Sequence, residues 1–183
     1  MDYIYTYNNL ISKNTCDELI NYFESNSQEH FKGLLGSLDP SKKLNLDIKN
    51  CDEMYLDDNI EIEILNRIKP HFDQYNTKHT IGETFIFDRQ RIKRYLNNDN
   101  EYFKLHTDIS NIGNCRRIVA YILYLNDVAE GGETHIIFDK KDINIKPEAG
   151  KLLIFPANFC FPHEGKKPIS NSKYILVGFV NYA

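Results

Sequence analysis

Tryptophan is missing altogether from this 183-residue chain, and that absence by itself excludes nothing about function. The other scarcities say more. Only four cysteines occur, Cys16, Cys51, Cys115 and Cys160, with no CxxC or CxxH spacing, so a disulfide framework is not expected in a chain of this size. No apolar run approaches the ~20 residues of a membrane-spanning helix. The opening Met1-Asp2-Tyr3-Ile4-Tyr5 has neither the basic region nor the long apolar region of a signal peptide. There is no basic excess either: 22 Lys and Arg stand against 26 Asp and Glu, a net charge of −4, which speaks against a nucleic-acid partner. No internal repeat, low-complexity tract or linker is visible. What is present is ordinary for a globular chain: 42% hydrophobic and 26% charged residues suffice for a sizeable core. One soluble domain in the reducing cytoplasm is the expectation.

Along the chain, residues 3–7 alternate weakly and read as a short strand. Thr15-x-x-Glu18 has the form of a capping box. Cys16, Leu19, Ile20 and Phe23 follow at the i, i+3, i+4, i+7 spacing of a helix of roughly three turns. The stretch 30–56, rich in Gly, Asn, Lys and Asp, reads as loop with short extended pieces. A second helix is expected from near Asp58, with Ile60, Ile64 and Ile68 on one side and a kink or end near Pro70. From residue 80 the pattern changes to β-rich runs over 83–95, 102–108, 117–125, 134–138, 151–155 and 173–181. Asn97-Asn98-Asp99-Asn100, Gly131-Gly132 and Ala149-Gly150 punctuate them. Helices followed by a string of short strands predict an α+β chain: residues 1–80 as helical support, 81–183 as a double-sheet jelly roll. Cys115 and Cys160 are expected near the core of that barrel, with no chemistry assigned.

The residues that carry chemistry lie in the second half. His106 and Asp108 are two apart in a strand-like run, so period-2 alternation sends both side chains to one face and Thr107 to the other. One strand can then offer a metal both an imidazole nitrogen and a carboxylate oxygen. His163, from a later strand edge, would complete two histidines and a carboxylate, the set that leaves half of an iron's coordination sphere open for oxygen chemistry. Lys173, ten residues after His163, can hold an anionic co-substrate beside the metal. The bland account is a chance His-x-Asp with an unrelated histidine. The surroundings favour the metal. Arg117–Asn126 is a buried-strand run followed by Glu130-Gly131-Gly132-Glu133-Thr134. Lys146–Pro156 is a turn and strand leading into His163, and Lys173 opens the apolar strand Ile175–Val180.

In this order the segments resemble the Fe(II)/2-oxoglutarate-dependent dioxygenases, specifically the prolyl 4-hydroxylase-like branch. The resemblance covers residues 83–183, with a weaker echo of the branch's opening strand and helix in Asn9–Ile20. It implies a double-stranded β-helix core, of jelly-roll or cupin-like type, with N-terminal helices packed on one sheet. It puts His106, Asp108 and His163 on the iron ligands and Lys173 on the basic residue that pairs with the distal carboxylate of 2-oxoglutarate. A lysine there is a flexible point charge, where arginine would give a planar fork. Tyr124 matches a tyrosine whose hydroxyl joins that carboxylate, and Tyr95 one that lines the co-substrate pocket. Plain core packing is the competing account for both, in a chain with 12 tyrosines. Fe(II), 2-oxoglutarate and O2 are the implied cofactor and co-substrates, with ascorbate as an accessory. The implied reaction releases succinate and CO2 and hydroxylates the substrate. Asp108 bears on that outcome, since related halogenases lack this carboxylate.

The substrate class implied is a peptide or protein side chain, proline in particular. A free amino acid, small metabolite or modified nucleobase is one alternative; a non-catalytic, cupin-like metal-binding protein is another. No nucleic-acid or membrane partner is expected, and the oligomeric state is left open. The chain departs from the branch in three places. The loop between Tyr95 and His106 is longer than usual, Leu105 stands where proline commonly precedes the first ligand, and Ala120 replaces a frequent pocket threonine. These weaken the case for collagen-type prolyl hydroxylation more than for iron or 2-oxoglutarate binding. Arg116 and Arg117 read as a solvated strand edge. Glu133 and Thr134 read as turn-shaping, with Gly131 and Gly132 supplying permissive backbone. His30, His71, His79 and His135 show no partner spacing and are expected in surface or structural roles. Specificity is expected in the variable segments 30–56 and 96–104.

Overall fold

The computed structural model describes residues 3–183. Strand β1 (Tyr5–Tyr7) leads into helix α1 (Lys13–Ser25). The helix begins earlier than the capping box suggests: the Ser12 hydroxyl accepts from the Thr15 amide at 3.1 Å, and Glu18 bonds Asn14 instead. Its apolar stripe Cys16, Leu19 and Phe23 is buried, as the spacing predicts. The segment 30–56 supplies β2 (Phe31–Lys32), β3 (Lys49–Asn50) and β4 (Asp52–Tyr55). Helix α2 (Asp58–His79) does not end at Pro70 but continues for more than two turns beyond it. A proline in a helix interior costs about 3 kcal/mol. Beyond it, Phe72 and Tyr75 are both buried, continuing the stripe of Ile64 and Ile68, and two buried aromatics outweigh that penalty.

The expected run 83–95 divides into β5 (Phe85–Phe87) and β6 (Arg91–Tyr95). Then come β7 (Tyr102–His106), β8 (Arg117–Tyr124), β9 (Thr134–Phe138), β10 (Lys141–Ile145), β11 (Leu152–Pro156), β12 (His163–Gly165) and β13 (Lys173–Tyr182). β10 lies outside the expected runs. It forms a hairpin with β9 whose two-residue turn, Asp139 and Lys140, takes positive φ at both positions without the glycine that usually signals one.

The strands form two antiparallel sheets. The larger has the order β1-β11-β8-β13-β6-β4-β2, with β5 also on β13; the smaller has the order β10-β9-β12-β7-β3. Alternation along β8 explains how they are covered. Val119, Tyr121 and Leu123 join a core with Phe23, Ile64 and Phe72 of the helices, while Ala120, Ile122 and Tyr124 join Ile136 and Phe155 between the sheets. A strand buried on both faces reads as one apolar run, which is what Arg117–Asn126 shows. The result is an α+β double-stranded β-helix with its helices on the larger sheet. Cys115 and Cys160 are exposed in turns rather than near the core, because both fall outside the strands.

Candidate active site

β7 and β12 pair with His106 directly opposite His163, bringing the two rings to 4.3 Å between centroids. β7 ends at His106, so Asp108 lies beyond the strand and alternation does not carry its carboxylate. The Arg117 guanidinium helps to fix the bend by donating to the Asp108 carbonyl at 3.3 Å. From there the Asp108 carboxylate comes within 3.8 Å of His106 Nε2 and 3.5 Å of His163 Nε2. One possible ligand atom from each residue lies within 4.8 Å of the others, and among the described residues this is the one such cluster.

Hydrogen bonding fixes what these atoms offer. His106 Nδ1 lies 2.7 Å from the Lys104 carbonyl and His163 Nδ1 lies 3.1 Å from the Phe161 carbonyl. A carbonyl only accepts, so each Nδ1 carries the proton and each Nε2 presents a lone pair. Asp108 Oδ2 is buried without a hydrogen-bond partner among the described residues. It therefore faces the bare His163 Nε2 acceptor to acceptor, an arrangement that a cation between them satisfies and that they cannot satisfy alone. Burial, and then the neighbouring His163 ring, hold the His106 imidazole well below its usual range, keeping it in the neutral, ligating form. Phe103 stacks on His106 at 3.5 Å and Phe155 meets His163 edge-on at 4.8 Å.

On the larger sheet Lys173 opens β13 opposite Tyr95 of β6. It is 1% exposed, and its Nζ donates to the Gly132 carbonyl at 2.7 Å. The rings of Tyr95 and Tyr124 lie 5.5 and 5.9 Å away. Lys173 forms no ion pair among the described residues. Burial pushes it down to about 7, with Glu133 opposing that shift and Lys93 reinforcing it. A buried ammonium without a counter-ion is costly until an anion arrives. Lys173, Tyr95, Thr134, His106, Asp108 and His163 line one cavity, and Ala120 lines it too, without a hydroxyl.

Tyr124 sits one layer back. Its hydroxyl donates to Thr134 Oγ1 at 2.6 Å, and it is Thr134 that reaches the cavity wall. Thr134 thus begins a strand and faces the site rather than shaping a turn. Gly131 and Gly132 do supply the permissive backbone, each at φ +72°, which aims the Gly132 carbonyl at Lys173. Arg117 is likewise no solvated edge. Its guanidinium lies 3.8 Å from the Phe179 ring and lines a vestibule of about 900 Å³ above the cavity. The segment 34–49 walls that vestibule; of 96–104, only Phe103 does. His135, held at 2.8 Å by both Glu164 and Asp142, is structural, as expected.

Residues 90–181 match the 2OG-Fe(II) oxygenase superfamily. No curated protein matches the chain by sequence. Among solved structures it is similar to a prolyl hydroxylase from Trichoplax adhaerens in complex with a hypoxia inducible factor oxygen degradation domain peptide. That match has a TM-score of 0.79 and 18% identity, over 100% of this chain and 84% of that one. A Pseudomonas putida prolyl-4-hydroxylase matches with TM-score 0.73 and 18% identity, over 98% and 92%. The viral collagen prolyl hydroxylase of Paramecium Bursaria Chlorella virus-1 matches with 0.71 and 21%, over 99% and 97%. At these identities the likeness is one of fold.

Proposed function

The chain belongs to the 2OG-Fe(II) oxygenase superfamily and is an Fe(II)- and 2-oxoglutarate-dependent dioxygenase; on that premise we propose that it hydroxylates a peptide or protein side chain, with proline the first candidate. We assign the iron to His106, Asp108 and His163 and the distal carboxylate of 2-oxoglutarate to Lys173. The observation that carries the assignment is the pair of acceptors, Asp108 Oδ2 and His163 Nε2, facing each other at 3.5 Å, with no hydrogen-bond partner for Oδ2 among the described residues. The peptide substrate is supported by the similar Trichoplax adhaerens enzyme, which holds a peptide, and by a vestibule of about 900 Å³, ample for a chain segment.

Bound there, the iron and 2-oxoglutarate supply the oxidising power for hydroxylation, with succinate and CO2 as by-products. The protein's own residues position and exclude. His106 and His163 are held in the ligating tautomer by backbone carbonyls, and Phe103 and Phe155 keep water off their rings. Lys173 in its protonated form receives the incoming carboxylate, with Tyr95 beside it and Tyr124 acting through Thr134. Asp108, retained as a carboxylate, supports hydroxylation over halogenation.

We further read the chain as one catalytic domain, because the sheet that carries Lys173 is the one on which both helices pack. A cytoplasmic setting is supported by four free cysteines, and no helix among the described residues is long and apolar enough to cross a membrane. The test is incubation with Fe(II), 2-oxoglutarate and a panel of proline-containing peptides. We expect a one-oxygen mass gain matched by succinate. Succinate matched instead by hydroxylation of a free amino acid or nucleobase would contradict the peptide assignment.

A further inference from the structure

At the rim between the cavity and the vestibule, β6, β4 and β3 bring four charged side chains together. Glu53 is fully buried, and three cations converge on it. Lys49 Nζ lies 2.5 Å from Oε1, Lys93 Nζ lies 3.4 Å from the same oxygen, and an Arg91 terminal nitrogen lies 3.1 Å from Oε2. One carboxylate cannot neutralise three cations, so the cluster carries an excess of two positive charges. Burial alone would raise the Glu53 carboxyl, but Lys93, Lys49 and Arg91 together hold it well below the carboxylate range, so it stays ionised.

The three cations are not equally satisfied. Lys49 also donates to the Leu34 carbonyl at 3.0 Å. Arg91 leaves its buried Nε without a partner among the described residues. Lys93, only 5% exposed, makes no hydrogen bond among the described residues, and its Nζ lies 6.0 Å from the centre of the Phe103 ring. Lys93 lines both the cavity and the vestibule, as His106 and Asp108 do.

The surroundings share the sign. Five basic side chains line the vestibule against two acidic ones, Asp39 and Asp108, in a chain whose net charge is −4. Asp39 is engaged by Ser41 and Lys42, and Asp108 is given to the metal. Lys42 pairs with Asp39 and Arg117 with Asp88, so the excess left over is the one at Glu53, where a single carboxylate meets three cations.

We infer that Lys93, with Arg91 beside it, is a specificity residue that receives a carboxylate of the primary substrate, so that the enzyme acts on an acidic peptide. This rests on the hydroxylase reading above. 2-Oxoglutarate does not fill the role, because Lys173 stands ready for its distal carboxylate. A charge-assisted pair formed in a buried site discriminates far more than one at an exposed rim.

The test compares a fluorescein-labelled peptide of alternating Glu and Pro with its Gln-Pro counterpart, by anisotropy on the Fe(II)-loaded protein with 2-oxoglutarate under anaerobic conditions. The acidic peptide is expected to bind ~10-fold tighter or better. Lys93→Met, and Lys93→Gln as a second variant, are expected to erase that preference without weakening 2-oxoglutarate binding, because loss of the Lys93 charge favours the protonated Lys173. Neither variant should melt earlier than the wild type, because Glu53 keeps Lys49 and Arg91 and an under-bonded buried cation is removed. Equal binding of the two peptides overturns the inference. So does a preference that survives both variants, or a fall in 2-oxoglutarate affinity in its place. Displacement of the acidic peptide by an oligothymidylate more effectively than by unlabelled peptide would mean a nucleic-acid ligand and overturn it too. A wild-type protein that binds no 2-oxoglutarate would instead sink the oxygenase reading itself, whatever the peptides do.

Discussion

On the helix side of the larger sheet, β8 and β13 turn Val119, Tyr121, Leu123, Leu176 and Val180 onto α1 and α2. On the other side the same two strands, with β6 beside them, present Ala120, Ile122, Phe179, Lys173 and Lys93 to the cavity. The first face is apolar, and its buried Gln90 donates from Nε2 to the Tyr121 hydroxyl at 3.0 Å, leaving Oε1 without a partner among the described residues. The second holds two buried lysines, neither with its charge fully answered. Period-2 geometry lets one strand serve both ends: stability is concentrated against the helices, while the inner face carries charges that disfavour the empty fold and favour anionic ligands.

Three perturbations should separate the two faces. His163→Ala is expected to have the largest effect, lowering kcat/KM by ~10³-fold or more while destabilising the metal-free fold less than Phe72→Ala does, since a ligand is lost from the inner face and the helix face is untouched. Phe72→Ala acts on the other face. It should destabilise the fold by about 3–5 kcal/mol in urea titration while the remaining folded protein binds 2-oxoglutarate normally. An equal loss of binding by Phe72→Ala would mean that the faces are coupled.

The smallest effect is one of pH. Burial brings Lys173 down to about 7, opposed by Glu133 and reinforced by Lys93, and only its protonated form pairs with a carboxylate. 2-Oxoglutarate affinity should thus be flat below that value and fall by up to ~10-fold per unit above it, with proton uptake on binding in calorimetry. Lys173→Arg should flatten the profile, because arginine stays charged. A flat profile in the wild type would mean that Lys173 does not hold the co-substrate.

These two faces differed in how far the sequence could be read. The helix face was open to periodicity: Cys16, Leu19 and Phe23 in α1, and Ile64 and Ile68 in α2, are buried where spacing predicts them. An end of α2 at Pro70 is what the structure does not show, because packing beyond it is a tertiary term that local rules do not contain, and the cap of α1 is Ser12 rather than Thr15. On the inner face the spacing of His106, Asp108, His163 and Lys173 was visible, and the fold brings the first three together. The reason given for Asp108 was not the one the structure uses, since the strand ends first and Arg117 anchors the bend. Lys93 was invisible for a different reason. Arg91-Ile92-Lys93-Arg94-Tyr95 has the look of a half-solvated strand, and what covers it comes from β3 and β4, some forty residues upstream in a stretch that reads as loop. The run 134–138 reads as a strand, but the glycines before it draw Thr134 into the turn, and that its side chain reaches the cavity is not visible.

The most direct test of the central claim, that this His-Asp-His cluster binds iron and Lys173 the co-substrate, is an anaerobic titration of the Fe(II)-loaded protein with 2-oxoglutarate. The visible charge-transfer band is followed in wild type, His106→Ala and Lys173→Met. The account predicts a saturable band in the wild type, none in His106→Ala, and in Lys173→Met a band that needs at least ~10-fold more 2-oxoglutarate. A band that survives His106→Ala, or none in a wild-type protein that has bound iron, would contradict it.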